Sequence, residues 1–152
     1  KNHENASLCM VGPDKDGSLN QAKELAKQLG VANSVTFTGV LPKKQWHQLS
    51  ENYAIFINTT NIDNMPVSVV EAMALGLPVV STNAGGLPYL IENGVDGLLI
   101  PVKDVNKMAE AIETLLSNAE KAGELSRNAR KKAEQFDENT VKMQWHKLLE
   151  NV

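Results

Sequence analysis

Two carboxylates flank the start of a predicted helix in the stretch NTTNIDNMPVSVVEAMALGLPVVST, residues 58–82. Asp63 precedes Pro66, where the helix is expected to begin. Seven residues separate Asp63 from Glu71, which lies in the second turn of that helix. An ionised carboxylate accepts two hydrogen bonds, so each acid suits a ligand that offers vicinal hydroxyl groups. The free N–H groups at the helix start, with the positive end of the helix dipole, suit a phosphate group instead.

Together these groups indicate a ligand that is rich in hydroxyls at both ends and carries phosphate between them. A nucleotide sugar has this order of groups, and the backbone amides of Met65, Val67 and Ser68 are the predicted diphosphate contacts. No Ser–His pairing supports nucleophilic catalysis. The acidic pair Asp14 and Asp16, in GPDKDG, is interpreted as part of a solvated turn and not as a metal site.

Short apolar runs alternate with amphipathic stretches along the chain. Strands are predicted over residues 7–12, 34–39, 53–58, 77–82 and 96–101. Helices are predicted over residues 18–29, from Pro42 through KKQWHQLSEN, from Pro66 to Gly76, around residues 88–92, and from Asp104 almost to the end, with breaks near Asn118 and at FDENT. Ser18 is the expected N-cap of the first helix, with Gln21 completing a capping box, and Gly30 and Gly76 are the expected C′ residues.

The strands are apolar throughout and each is followed by a helix, which is typical of βαβ crossovers and of a parallel sheet covered on both faces. The pattern predicts an α/β doubly wound fold, with helices on both faces of a parallel sheet and extra helices at the C-terminus. No repeat or linker interrupts the 152 residues, so we expect one domain over residues 1–152. Ligands of such folds bind outside the carboxyl ends of the strands, where Asp63 is expected.

The composition is that of a soluble globular protein, with 42% apolar and 22% charged residues. The net charge of −3 argues against a nucleic-acid surface. The basic run of Arg127, Arg130, Lys131 and Lys132 is interpreted as a solvated helix face. Without a signal peptide or an apolar run of about 20 residues, the expected location is cytoplasmic, and the abrupt start without Met indicates a piece of a longer protein.

The segment NIDNMPVSVVEAMALGLPVVSTNAGGLPYLIENGVDGLLIPVKD resembles the donor-binding core of the retaining glycosyltransferases of GT-B family 4, or group 1. In that family two acids flank seven residues, followed by a Glu-Ala-Met-Ala/Ser-x-Gly-x-Pro-Val-Val segment and a Gly-Gly loop. The upstream segment SLCMVGPDKDG…VTFTG is similar to the family's Val-Gly-x-Gly-Pro strand, helix and Val-x-Phe-x-Gly strand. The resemblance covers nearly the whole chain. It implies the Rossmann-like, C-terminal half of a GT-B enzyme, separated from an N-terminal acceptor domain.

The resemblance also implies a role for individual residues. Asp63 and Glu71 are the predicted catalytic pair: Asp63 would contact the hydroxyls of the donor sugar, and Glu71 would hold the ribose 2′ and 3′ hydroxyls. Gly12 would form the floor of the crevice, and the backbone of residues 64–67 would approach the sugar and the diphosphate. The residues implied to bind the nucleotide sugar are Gly12, Val40, Leu41, Asn64, Met65, Pro66, Val67, Ser68 and Glu71, with Val40 and Leu41 beside the base. No metal or other cofactor is implied.

Three features depart from the family pattern. The first acid is usually Glu, and Asp63 shortens the reach of the carboxylate by roughly 1.5 Å. Asn64 and Met65 replace the usual Gly-Phe pair before the proline. The family's Arg and Lys that neutralise the diphosphate lie upstream of the first strand, and nothing before Ala6 supplies them.

The implied reaction moves a sugar from a nucleotide diphosphate sugar to an acceptor hydroxyl with retention of configuration, in glycan, polysaccharide or glycolipid synthesis. The acceptor glycan or lipid, and any contact with a membrane, would belong to the N-terminal half. Two alternatives stay open. One is a GT-B-like nucleotide-sugar epimerase, which EAMALGLPVVS partly resembles too, and the other is a non-catalytic nucleotide-binding module, which the Asp63 substitution suggests.

Overall fold

The computed structural model describes residues 5–150, which divide into two compact units on either side of the Glu51–Asn52 bond. The first unit contains β1 (Leu8–Val11), α1 (Ser18–Gln28), β2 (Val35–Gly39) and α2 (Lys43–Ser50). The second unit contains β3 (Phe56–Asn58), α3 (Val67–Ala74), β4 (Val79–Thr82), α4 (Leu87–Leu90), β5 (Leu98–Ile100), α5 (Val105–Ser117), α6 (Ala119–Ala133) and α7 (Glu138–Leu149). The expectation of a single domain over residues 1–152 stays a prediction.

The first unit is built on a parallel strand pair joined by α1. Leu8 lies opposite Val35 and Met10 opposite Phe37, and the register shifts between Met10 and Val11. The predicted burial of the first strand is wrong, because Leu8, Met10 and Val11 are 41%, 45% and 47% exposed. A two-stranded sheet needs apolar layers to cover it, and among the described residues of this unit only Ala26 is a buried apolar residue.

The second unit is built on a three-stranded parallel sheet in the order β3-β4-β5. Phe56 lies opposite Val79, and Val80 lies opposite Leu98. The central strand, β4, is buried at all four positions, as expected for a strand with neighbours on both edges and helices over its faces. The structure confirms the predicted α/β class, with parallel strands and flanking helices.

The apolar core of the second unit holds the helices against this sheet. Val80, Ile100, Ala111, Leu115 and Leu125 form one buried cluster. Burying each of its larger aliphatic side chains contributes about 1.5–3 kcal/mol relative to leaving that side chain exposed. The buried face of α3 follows the helical repeat, with Val69, Ala72 and Met73 fully buried.

Glycines end α1 and α3 as the sequence predicts. After α3, the Gly76 N–H donates to the Met73 carbonyl at 3.0 Å, and the Leu77 N–H donates to the Ala72 carbonyl at 3.0 Å. This is the Schellman arrangement, and Gly76 takes the left-handed conformation that it requires, with φ of 80°. Gly30 ends α1 in the same way.

The start of α1 differs from the prediction. Gly17 occupies the N-cap position and Ser18 is the first helical residue, so the proposed capping box of Ser18 and Gln21 is wrong. The free amides are bound by the two acids of the preceding turn instead. Asp16 Oδ1 accepts from the Ser18 N–H at 3.1 Å, and Asp14 Oδ1 accepts from the Leu19 N–H at 3.4 Å. The two acids of GPDKDG therefore stabilise the helix start.

The two predicted breaks between the C-terminal helices are confirmed. Asn118 separates α5 from α6, and its Oδ1 accepts from the Lys121 N–H at 2.9 Å. A 3-10 turn at Glu134–Phe136 separates α6 from α7, and Asp137 Oδ1 then accepts from the Asn139 N–H at 2.9 Å. Each break is a polar N-cap residue that starts a new helix.

Candidate functional site

The acidic loop, residues 59–65, connects β3 to α3 at the carboxyl edge of the three-stranded sheet. Asp63 is half-buried within it, whereas Asn64 and Met65 are exposed. The Thr82 hydroxyl donates to the Thr60 carbonyl, and the Gly86 N–H donates to the Asp63 carbonyl at 2.8 Å. The main chain that carries the first predicted acid is thus held by the segment after β4.

The N-terminus of α3 is open to a ligand. Pro66 is buried at the N-cap position, and Val67 is the first helical residue, one position later than predicted. Pro66 itself provides no side-chain cap, and the Val69 N–H donates to the Pro66 carbonyl at 3.0 Å. Val67 and Ser68 are exposed, and their amides lie ahead of the first intrahelical bond, where an anion is favoured.

Glu71 lies on α3 and is half-buried. It follows Val67 by four residues and Ser68 by three, so it shares the exposed face of the helix with them. The opposite face carries Ala72 and Met73, which are buried in the core. A carboxylate on this face, one turn from open backbone amides, can accept hydrogen bonds from hydroxyls of a ligand whose phosphates reach the helix start.

The far end of α3 is held from α6. Ser126 Oγ donates to the Gly76 carbonyl at 2.6 Å, so the C-terminal end of the helix has a fixed attachment. Two further contacts from α6 reach the loop before β5: Asn128 Nδ2 donates to the Val95 carbonyl at 2.8 Å, and Lys132 Nζ donates to Asp96 Oδ2 at 2.8 Å. The C-terminal end of the helix that carries Glu71 is therefore held by a side chain 50 residues away in sequence, and the loop before β5 by two others.

The first unit contains three of the predicted binding residues: Gly12, Val40 and Leu41. The Gly12 N–H donates to the Gly39 carbonyl at 2.9 Å, which joins the ends of β1 and β2. Gly12 also lines a cavity of about 130 Å³ at this edge of the strand pair. The residues lining that cavity are Met10, Val11, Gly12, Pro13, Asp14, Ser18, Leu19, Ala22, Phe37 and Gly39. Val40 is exposed and Leu41 is half-buried after β2, and neither lines the cavity.

One structural role at this edge is not apparent from the sequence. In the sequence, the Gly85-Gly86 pair matches the Gly-Gly loop of the family pattern and is equally compatible with a plain strand-to-helix turn. The structure brings the pair against the backbone of Asp63 and Asn64. The sequence contains a hint of this, because two adjacent glycines after a strand often mark a close approach of another chain segment. It does not reveal which segment approaches.

Within residues 5–150, no three side chains of His, Cys, Asp or Glu converge to hold a metal ion, and the expectation that no metal is needed stays a prediction. None of the helices in that same range combines the length and the apolarity needed to cross a membrane.

Comparison with known proteins identifies relatives of the chain. It is 36% identical over 135 residues to D-inositol 3-phosphate glycosyltransferase of Mycobacterium marinum, a match covering 86% of this chain and 29% of that protein. It is 30% identical over 124 residues to GDP-mannose-dependent alpha-(1-6)-phosphatidylinositol monomannoside mannosyltransferase of Mycobacterium tuberculosis, covering 77% of this chain and 32% of that one. The chain thus spans about a third of these relatives, whose names support neither the epimerase nor the non-catalytic alternative.

The structure of Alr3699/HepE from Anabaena in complex with UDP matches this chain with a TM-score of 0.86 and 30% identity, covering 97% of this chain and 41% of that one. The same protein in complex with UDP-glucose matches with a TM-score of 0.84. These likenesses extend the agreement from sequence motifs to the arrangement of strands and helices. The sequence model described as "Glycosyl transferases group 1" matches residues 1–132, most of the chain. The chain therefore belongs to the group 1 glycosyltransferases, the family that the spacing of Asp63 and Glu71 and the segment after it resemble.

Proposed function

We propose that this chain is the donor-binding part of a retaining glycosyltransferase that moves a sugar from a nucleotide diphosphate sugar to an acceptor hydroxyl. The observation that carries the proposal is the 30% identity, over 97% of the chain, to a protein whose structure holds UDP. A second structure of that protein holds UDP-glucose. Because the chain spans only part of its relatives, the activity of the whole protein is part of the proposal.

The second unit offers partners for the ribose, the diphosphate and the sugar of such a donor. The open amides at the start of α3 suit the diphosphate, and Glu71 on the adjacent exposed face suits the ribose hydroxyls. Asp63, at the other side of the helix start, suits hydroxyls of the sugar. The contacts that the family resemblance implies for the first unit, Val40 and Leu41 with the base and Gly12 with the floor of the crevice, stay predictions.

In the proposed reaction the acceptor hydroxyl attacks the anomeric carbon, and the bond to the nucleoside diphosphate breaks. Negative charge then develops on the leaving diphosphate, where backbone N–H groups and the dipole of α3 stabilise it. Fixed donors of this kind typically contribute about 10²–10³-fold to the rate. We propose on this basis that the transfer needs no metal.

The acceptor, a glycan or a lipid, is proposed to bind the part of the protein outside this chain. The names of the relatives support this chemistry: one acts on D-inositol 3-phosphate and another is a phosphatidylinositol monomannoside mannosyltransferase. We propose a cytoplasmic location, with any membrane contact made outside this chain, and no role in nucleic-acid binding.

The test is binding of the chain to UDP, GDP and ADP, and to their sugar conjugates, measured by ligand-detected NMR. We expect saturation transfer to the ribose and base protons of one nucleotide class. Glu71→Gln should weaken that binding about 10- to 100-fold, because hydrogen bonds to a charged carboxylate contribute roughly 1.5–3 kcal/mol.

The matched control is Glu110→Gln, the same change at an exposed position of α5, which should bind as the unsubstituted chain does. Failure of the unsubstituted chain to bind any nucleotide in the panel would contradict the proposed function. Equal binding by Glu71→Gln and Glu110→Gln would contradict the role given to Glu71.

A further inference from the structure

The Gly85-Gly86 pair lies in direct contact with the backbone of the acidic loop. A Cβ atom added at Gly85 would lie 1.9 Å from the Asp63 carbonyl oxygen, and one added at Gly86 would lie 1.5 Å from the Asn64 carbonyl oxygen. Both distances are far below contact distance, and both obstacles are main-chain atoms that cannot rotate away. Any side chain at either position therefore forces the acidic loop to move.

The two glycines are required for different reasons. Gly85 has φ of 55°, so a side chain there meets both backbone strain and the Asp63 carbonyl. Gly86 has φ of −85°, an ordinary conformation that any residue adopts. At Gly86 only the closeness of Asn64 excludes a side chain, so this position isolates the steric effect on the loop.

Hydrogen bonds hold the loop in this position. The Gly86 N–H donates to the Asp63 carbonyl at 2.8 Å, within one residue of the Asn64 contact. At the other end of the loop, the Thr82 hydroxyl donates to the Thr60 carbonyl. Thr82 is only 4% exposed and Thr60 is half-buried, so the hydroxyl is a buried donor and its loss removes the hydrogen bond that holds this end of the loop.

The segment that provides these contacts, residues 82–87, is anchored in the core. Ala84 and Leu87, on either side of the glycine pair, are buried in the core, and Thr82 ends the buried strand β4. The carboxyl end of β4 is paired with β5, where Thr82 lies opposite Ile100. The acidic loop, by contrast, exposes Asn61, Ile62, Asn64 and Met65. Its position is thus set by a segment anchored in the core.

We infer that Thr82, Gly85 and Gly86 are positioning residues for the donor sugar, acting through the backbone of the acidic loop. They set the location of the Asp63 carboxylate and of the Asn64 and Met65 amides relative to the start of α3. The inference rests on the proposed function for the ligand, but its structural part does not need a ligand. Displacements of about 1 Å in a site can reduce function roughly 10²-fold.

Two variants test the inference. Gly86→Ala pushes the loop away from the segment, and Thr82→Val removes the hydroxyl at nearly constant volume. In both variants the amide resonances of residues 60–67 should shift, whereas the amide resonances of α5 should not change. The amide of residue 86 should also exchange faster with solvent. Affinity for the nucleotide sugar that the unsubstituted chain binds should fall about tenfold or more. Affinity for the corresponding nucleoside diphosphate should fall less, because its diphosphate keeps the Val67 and Ser68 amides of α3 and loses only the contact predicted at Met65.

Matched controls separate positioning from a general loss of stability. Thr82→Ser keeps the hydroxyl and should restore both the loop resonances and the preference for the sugar conjugate. Gly94→Ala also replaces a glycine by alanine, at a position with φ of 83°, but nothing lies within 4 Å of the added Cβ, so it lacks the steric contact with the loop. This control should leave the acidic loop unchanged. If Gly86→Ala does not fold, Thr82→Val alone decides whether residues 82–87 position the loop.

Unchanged loop resonances in Thr82→Val and Gly86→Ala would overturn the inference. So would normal affinity of both variants for the nucleotide sugar. If the unsubstituted chain binds none of UDP, GDP, ADP and their sugar conjugates, the proposed function fails. The resonances then still decide whether the segment positions the loop.

Discussion

Lys132 pairs with the buried Asp96, unlike its basic neighbours on α6, which are solvated. The basic run on α6 is expected to be a solvated face, which is correct for Arg127, Arg130 and Lys131. Lys132 is different: its side chain is 24% exposed and lies 2.8 Å from Asp96 Oδ2, whose side chain is 6% exposed. The other oxygen of Asp96 accepts from the Glu92 N–H at 2.7 Å, so the carboxylate is engaged at both ends.

Replacing Lys132 by Met should destabilise the second unit, because it leaves a buried carboxylate without its cation. Breaking a fully buried pair costs about 3–5 kcal/mol. Since Lys132 is partly exposed, we expect a decrease in the free energy of unfolding of about 2 kcal/mol. Chemical denaturation measures it, with the exposed neighbour change Lys131→Met as the control.

The double change Asp96→Asn with Lys132→Met should recover most of this loss, since the amide oxygen of the substituted side chain can still accept from the Glu92 N–H while no charge remains. If Lys132→Met and Lys131→Met have the same effect, then the pair contributes little and the loop before β5 is held by its other contacts.

At the scale of elements, the helix termini separate local from distant control. Gly30 and Gly76 end their helices through backbone bonds within six residues of chain, and the sequence alone predicts them. The start of α1 is harder to predict, because Ser18 and Asp16 are both good N-terminal residues and lie two positions apart. The left-handed conformation of Gly17 turns the chain so that Asp16 accepts from Ser18.

The capping by Asp16 makes the stability of α1 depend on pH. The hydrogen bond with the Ser18 side chain, followed by that from the Ser18 N–H, lowers the pKa of Asp16 below its ordinary value. A lowered folded-state pKa means that the stabilisation is present above the unfolded value, roughly pH 4, and is lost as the pH falls through the folded value. Asp16→Asn should remove this part of the pH dependence.

NMR titration of the Asp16 carboxyl, together with helical content of the first unit between pH 6 and pH 2, measures this effect. A carboxyl that titrates at or above its ordinary pKa in the folded chain would contradict the capping role. Loss of helicity in Asp16→Asn with an unchanged acid profile would contradict it as well.

At the scale of the whole molecule, the two units differ in how much apolar surface they bury. Apart from Ala26, the buried apolar residues within 5–150 belong to the second unit, including Val79, Val80 and Leu125. Burial of apolar surface is the main favourable contribution to folding. The second unit therefore has the larger share of the stabilising core.

Hydrogen exchange should resolve this difference. The amides of β4 should exchange only through openings of high free energy, whereas those of β1 and β2 should exchange through openings of lower free energy, because less core is lost when they separate. Native-state exchange at increasing denaturant measures both. Equal opening free energies for β2 and β4 would show that the two units unfold as one.

Much of the fold and part of the candidate site could be predicted from local patterns. The five strands and the succession of helices follow from apolar runs, proline and glycine, which act within a few residues of chain. Asp63, Glu71 and the helix start between them are apparent because their chemistry and spacing lie in one continuous segment. The exposure of β1 could not be predicted from the sequence, because an apolar run does not show whether other elements cover the strand.

The sequence by itself thus determined the α/β class, the family and the segment that carries the two acids, since each depends on residue types at short spacing. Only the tertiary structure decided that Thr82 and Gly86 hold the acidic loop, that Ser126 holds the end of α3, and that Lys132 neutralises Asp96. These partners lie 22 to 50 residues apart. No periodicity or turn preference links residues at such distances, because their contact arises only when strands and helices pack around a common core.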